Sequence, residues 1–236
     1  MNSLPRRLIR VPLVLLVALL ATGAGYGART NGTLARLAVV RLQYDGGGDW
    51  YANPSSLPNL IGAIRSRTTL NVEPAEVRLR LTDARVWEYP FLHVTGHGNL
   101  RFSDAEIERL RDWLARGGFL HVDDNYGLDE SFRREIARVY PDRPLVEVPL
   151  DHPVYHVVYD FPRGLPKVHE HDGKPPKGYG IFIGGRLAVF YTHETDLGNG
   201  WEDVGTYPED PPHLHEEALK MGVNLFVYAV TSRPNS

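Results

Sequence analysis

Residues 90–127, PFLHVTGHGNLRFSDAEIERLRDWLARGGFLHVDDNYG, constrain the fold more than any other part of the chain. They read as strand, turn, helix, strand, turn. Residues 90–95 are a short apolar run that stops at Gly96-His97-Gly98. Ser103-Asp104-Ala105-Glu106 has the spacing of a capping box, with hydroxyl and carboxylate three residues apart to satisfy the first free N–H groups of a helix. Ile107, Leu110 and Leu114, with Trp113 beside them, give that helix one apolar face. Gly117-Gly118 ends it, because glycine tolerates a left-handed cap. Phe119-Leu120-His121-Val122 is a second apolar strand and runs into Asp123-Asp124-Asn125. Two strands joined by one amphipathic helix make a right-handed βαβ unit with parallel strands. Open sheets of this kind bind ligands at the carboxyl ends of their strands, where His97 and the Asp123-Asp124-Asn125 run fall.

The flanking sequence extends this unit into an α/β domain. Residues 34–42 form a first strand that opens onto Gly46-Gly47-Gly48, whose spacing fits neither the dinucleotide fingerprint nor the P-loop. Ser55 or Ser56 caps a helix over Leu57, Leu60, Ile61 and Ile64, and residues 76–81 alternate as a strand near the sheet edge. Residues 129–140 form a helix with Phe132, Ile136 and Val139 inward, and residues 145–148 a short strand. Residues 181–192 read as a hairpin turning on Gly184-Gly185, and a helix from 216 to about 230 closes the chain. Segments 161–180 and 192–212 are long and irregular, and such loops inside a compact domain are usually functional or mobile. No linker divides residues 34–231, which are expected to form one domain.

Residues 1–27 have the layout of an export signal: Arg6, Arg7 and Arg10 precede an apolar run over 11–21 and then Thr22-Gly23-Ala24-Gly25. The rival reading is an uncleaved membrane anchor, with a run short of the ~20 residues that span a bilayer. Removing those three arginines from 26 basic side chains leaves 23 against 29 acidic ones, a net charge of −6. A body that acidic lacks the electrostatic footprint of nucleic-acid binding. Cysteine is absent, which removes disulfides, thiolate metal sites and cysteine nucleophiles together. The expected location is exported: periplasmic, or anchored to the inner membrane facing the periplasm, with envelope proteins as candidate partners.

Several residues can carry chemistry. His97, between Gly96 and Gly98, is a candidate acid, base or ligand, and those glycines let backbone N–H groups approach an anion; the opposing reading is a histidine that pins its own loop. Asp123 and Asp124 are adjacent on a strand end and point to opposite sides, so one serves as cleft base or metal ligand and the other as a cap, with Asn125 offering an amide. His97 and Asp123 are the catalytic candidates. His169-Glu170-His171-Asp172 contains H-x-H, which in an extended segment puts two imidazoles on one side, the way a strand offers nitrogens to a divalent metal. His152 adds a further imidazole beside Pro153. His193, Glu194 and Trp201 share a loop whose carboxylates and indole suit a sugar, unless Trp201 only anchors the loop. No G-x-S-x-G elbow serves a serine nucleophile.

The stretch from FLHVTGHGNLRF to HVDDNYG, followed by DHPVYH, HEHDGKPPKG and THETDLGNGWED, resembles a bacterial family, domain of unknown function 4159, over about residues 34–231. That family is similar in turn to trehalose-utilisation-like proteins and to the class I glutamine amidotransferase-like fold. The resemblance implies a flavodoxin-like three-layer sandwich, mostly parallel, with a C-terminal β-hairpin and helix and a ligand cleft over the strand ends. Amidotransferases of that fold use a cysteine nucleophile, and this chain has none. Two functions stay open. One is an envelope hydrolase or lyase on a carbohydrate-like or polar small molecule, with a divalent metal as candidate cofactor. The other is a non-catalytic ligand-binding or scaffold domain of an envelope assembly.

Overall fold

The computed structural model describes residues 36–233, together with the backbone of two short paired strands, β1 (Arg29–Thr30) and β2 (Thr33–Leu34). The export segment expected over 1–27 lies outside the described residues. Among the described residues no helix is long and apolar enough to cross a membrane.

The chain continues through β3 (Val40–Gln43), α1 (Ser56–Arg67), β4 (Val77–Arg80), β5 (Phe91–Val94), α2 (Asp104–Ala115), β6 (Phe119–Asp123) and α3 (Asp129–Val139). It ends with β7 (Val146–Glu147), β8 (Lys177–Ile183), β9 (Arg186–His193), α4 (Leu197–Trp201) and α5 (Pro212–Thr231). Seven strands form one sheet in the order β4-β3-β5-β6-β9-β8-β7. The first five are parallel, and β8 and β7 add antiparallel neighbours. One apolar cluster joins Leu92, Val94, Leu120 and Val122 to α2 and α3. A second joins Phe91, Phe119 and Phe190 to α1 and α5 on the other face. Helices on both faces of the sheet make three layers. Every residue of β5 and β6 is buried, as strands covered on both sides require.

The expected βαβ unit is present. Ser103 Oγ accepts from Glu106 N at 3.3 Å, and Glu106 Oε2 accepts from Ser103 N at 2.9 Å, closing the capping box. Ser103→Ala should therefore cost about 1 kcal/mol, read as a lowered urea midpoint with an unchanged m-value. An unaltered midpoint would show the box to be energetically idle. Gly118 follows because Trp113 folds back over it: a Cβ there would sit 2.3 Å from the indole.

Helix α4 falls inside segment 192–212, read as irregular, and three boundaries also differ from expectation. β3 begins at Val40, because residues 36–39 lie outside the ladder. β8 begins at Lys177, inside the segment read as irregular, and pairs with β9 as far as His193. α5 begins at Pro212, since proline is accommodated in a first helical turn.

Candidate functional site

The carboxyl ends of β5, β6 and β9 and the loop after β3 meet at one place. β6 delivers Asp123 towards the α5 face and Asp124 towards the α3 face, the opposite orientation expected of neighbours on a strand. Asp123 is fully buried and accepts from Thr192 Oγ1 at 2.6 Å, Gly198 N at 2.7 Å and Leu197 N at 3.2 Å. Burial pushes its pKa up to about 6 against those hydrogen bonds. Asp123 thus holds the first turn of α4 in place. Asp124 accepts from Leu128 N at 3.1 Å and from Tyr191 Oη at 3.1 Å, fixing the turn into α3.

A chain of polar groups runs from Asp123 into the core. His121 Nε2 lies 3.1 Å from Thr192 Oγ1, and His121 Nδ1 lies 3.0 Å from His93 Nδ1. With the Thr192 proton on Asp123, His121 donates from Nε2 and accepts at Nδ1, so His93 donates from Nδ1. That leaves His93 Nε2 as a buried nitrogen with no hydrogen-bond partner. Burial holds both imidazoles neutral, His121 at about 3 and His93 well below the ordinary 6.5. Both rings pack against Trp201.

Asp196 is the centre of the site. It has left-handed backbone (φ 55°), is fully buried, and neither carboxyl oxygen has a hydrogen-bond partner. Burial, then the neighbouring Asp123 and Asp124 charges, push its pKa up to about 9. His171 Nε2 approaches Asp196 Oδ2 to 2.5 Å without the alignment of a hydrogen bond. Burial first, then His169 and Lys167, lower the His171 pKa. Burial thus favours the uncharged form of both partners. Tyr126 stacks on His171 with ring centroids 4.5 Å apart.

Around this pair, Thr95 Oγ1 and Asn125 Oδ1 are also buried without partners. Asn53, in left-handed conformation, accepts from Asn125 Nδ2 at 3.4 Å and donates to Asn199 Oδ1 at 3.0 Å. Gly198 sits where these groups converge: a Cβ would meet Asn53 Nδ2 at 2.6 Å, Asp123 Oδ2 at 3.1 Å and Thr95 Oγ1 at 3.5 Å. The Asn53 loop is held by Arg41, whose guanidinium donates to Ala52 O at 2.7 Å, Asn53 O at 3.2 Å and Glu76 Oε2 at 3.0 Å. Glu202, at the end of α4, accepts from the Ser55 and Ser56 N–H groups at 3.0 Å each.

The residues singled out from sequence divide. Asp123, Asp124, Asn125 and His171 are brought together with Asp196. His97 is half-exposed and its ring lies 3.0 Å from Asp49, whose carboxylate also accepts the His97 N–H. The backbone amide between Gly96 and Gly98 is thereby occupied, and among the described residues no hydrogen bond joins His97 to Asp123. The positive φ of Gly96 and Gly98 serves this turn, where a Gly96 Cβ would meet Tyr44 Oη at 2.3 Å. His193 lies on the α3 face, 3.7 Å from Asp129 and 4.0 Å from Asp124. Glu194 accepts from Lys167 Nζ at 2.9 Å.

Trp201 takes the anchoring alternative, and His152 lies apart from these groups. Trp201 offers no stacking face: it is fully buried, with its indole N–H on Ala218 O at 2.8 Å, because α4 packs into the core. His152 packs on Phe182 and Tyr228, beside the amino end of β9 and away from the site. The H-x-H pair is also not shared. His169 turns to Asp210 at 2.6 Å while His171 turns to Asp196.

Among the described residues two groups have the spacing to hold a cation, Asp124–Asp129–His193 and His169–Glu209–Asp210. In the first, Tyr191 Oη lies 2.8 Å from Asp129 Oδ1 and 3.1 Å from Asp124 Oδ2, and Arg133 donates to Asp129 at 2.7 Å.

No curated protein matches the sequence. Residues 36–230 match the family described as Domain of unknown function (DUF4159), and the chain belongs to that family.

Proposed function

We propose that this protein is an exported acid–base enzyme, a hydrolase or lyase acting on a small, hydroxyl-rich molecule of the carbohydrate class in the cleft over β5, β6 and β9. The observation that carries this reading is the set of buried polar atoms without partners, Thr95 Oγ1, Asn125 Oδ1 and Asp196 Oδ1, gathered around the Asp196 Oδ2–His171 Nε2 contact. Each such group costs about 1–3 kcal/mol when left unpaired, and buried polar groups are otherwise almost always satisfied. Hydroxyls of a ligand both donate and accept, which matches this mixture of donors and acceptors. Asp196 and His171, 2.5 Å apart, are the pair that moves the proton. In hydrolysis, Asp196 protonates the leaving oxygen as its bond breaks, and His171 takes a proton from the attacking water. In elimination, His171 takes that proton from carbon.

The parallel strands run in the order 2-1-3-4-5 when renumbered along the chain, which supports a flavodoxin-like, amidotransferase-like classification. Chemistry through a cysteine nucleophile is absent in any case. The competing reading, a scaffold or binding domain of an envelope assembly, expects histidines that face solvent. The partly buried His171, with its Nε2 shielded against Asp196, favours catalysis.

Calorimetric titration with a panel of neutral, amino and acidic mono- and disaccharides tests the reading. At least one should bind, with affinity reduced at least tenfold in both Thr95→Val and Asn125→Leu. Binding unchanged in those variants, or no binding across the panel, would remove the proposal.

A further inference from the structure

Two segments reach the site: residues 166–174, whose His171 faces Asp196, and residues 203–210, whose Tyr207 hydroxyl donates to Asn53 Oδ1 at 3.2 Å. Val168 N bonds Thr195 O at 2.9 Å, which fixes the base of the first segment to the site. Farther out, the two meet through His169 and Asp210, with Nδ1 and Oδ1 2.6 Å apart. Glu209 joins them, and the three side chains each bring a ligand atom within 4.8 Å of the others. The Asp210 side chain is 3 % exposed, yet its Oδ2 has no hydrogen-bond partner. A carboxylate so deeply placed is normally satisfied on both oxygens or neutralised by a cation. The Asp124–Asp129–His193 group lacks this signature, since Tyr191 and Arg133 already occupy its carboxylates.

We infer that His169, Glu209 and Asp210 form a divalent-cation site that ties segment 166–174 to segment 203–210. One imidazole and two carboxylates suit zinc better than calcium or magnesium, which take oxygen ligands alone. Water completes the coordination on the exposed Glu209 side. The ion does not touch the reacting pair. It fixes His169, and through the two-residue spacing it fixes His171 against Asp196. The site also accounts for the split of the H-x-H motif, in which one imidazole serves the clamp and the other the cleft.

Zinc titration of the chelator-treated full chain by calorimetry tests this directly, without a substrate. One equivalent should bind to the wild type. Glu209→Gln, a change at an exposed position with little bearing on folding, should weaken binding about tenfold, and Asp210→Asn and His169→Ala at least thirtyfold. Asp129→Asn should leave binding unchanged. Zinc should also slow proteolysis between residues 166 and 174 in the wild type and not in Glu209→Gln. No binding, or binding lost in Asp129→Asn and retained in Glu209→Gln, would overturn the assignment. Thr95→Val should bind zinc normally, so failure of the cleft reading and failure of the clamp are separable.

Discussion

Asp196→Asn is expected to raise the melting temperature at pH 8 and to abolish turnover. The folded protein holds the Asp196 carboxyl protonated up to about pH 9, whereas its ordinary pKa is 3.8. In the unfolded chain the group ionises freely. Its contribution to stability is therefore full below 3.8 and is lost as pH climbs towards 9. Each unit of displacement is worth about 1.4 kcal/mol, so at pH 8 the acid weighs against folding by several kcal/mol. An asparagine side chain carries no charge at any of these pH values and tolerates the left-handed backbone at this position. For a chain of this size each kcal/mol moves Tm by about 2–4 °C, and a gain of roughly 10–20 °C at pH 8 is expected on that scale. At pH 4 the gain should vanish. Scanning calorimetry at the two pH values decides it: an equal shift at both, or a loss at pH 8, would mean that Asp196 is ionised in the folded protein. A residue that weakens the fold in which it sits is what a site selected for reactivity produces.

Arg41→Leu is expected to have the largest destabilising effect. Arg41 is 1 % exposed on a strand that otherwise faces helices, and its guanidinium bridges Glu76, Ala52 O, Asn53 O and Ser56 Oγ. Leucine fills part of the volume but leaves the Glu76 carboxylate, itself 9 % exposed, with only the exposed Arg78 as partner and takes the Arg41 donors from the Ala52 and Asn53 carbonyls. Breaking one side of a buried pair costs about 3–5 kcal/mol. Arg41→Lys should recover only part of this, because an ammonium cannot reproduce the planar fork across carboxylate and carbonyls. Urea denaturation gives the magnitude, and a loss below 1 kcal/mol for leucine would refute this account of the loop. The same variant should weaken ligand binding, since Asn53 reaches the cleft from the loop that Arg41 holds.

The architecture was legible where local patterns determine it. The capping box at Ser103, the apolar face of α2 and the alternation of β4 each follow from residues a few positions apart. The site was legible only by position. Asp123-Asp124-Asn125 and His171 were recognisable as polar residues at strand ends or in long loops. Asp196, Asn53, Thr95 and Asp210 were not, because their roles come from contacts between distant segments. One repeat in the sequence bears on the core. Phe91-Leu92-His93-Val94 and Phe119-Leu120-His121-Val122 are the same tetrapeptide, and the two pair in register with His93 beside His121. Identical strands that each bury a histidine point to a deliberate polar pair in the core. Trp201 was ambiguous because an indole beside carboxylates looks alike in a sugar site and in a loop anchor; only burial separates them.

The buried polar chain and the site acids together determine how many protons the protein exchanges when it unfolds. His93 and His121 are neutral when folded and take up two protons once exposed below their ordinary 6.5, so their contribution to stability is present above 6.5 and is lost as pH falls through the folded values. Asp123 and Asp196 do the reverse, releasing protons on exposure above 3.8, with folded values of about 6 and about 9. Near pH 5 the two imidazoles gain what the two carboxyls lose, and unfolding is proton-neutral for these four groups. On the acid side the histidines work against the fold, and on the alkaline side the carboxyls do. For these groups the point of greatest stability lies on the acid side of neutrality, set by the chain's own buried residues and not by its net charge.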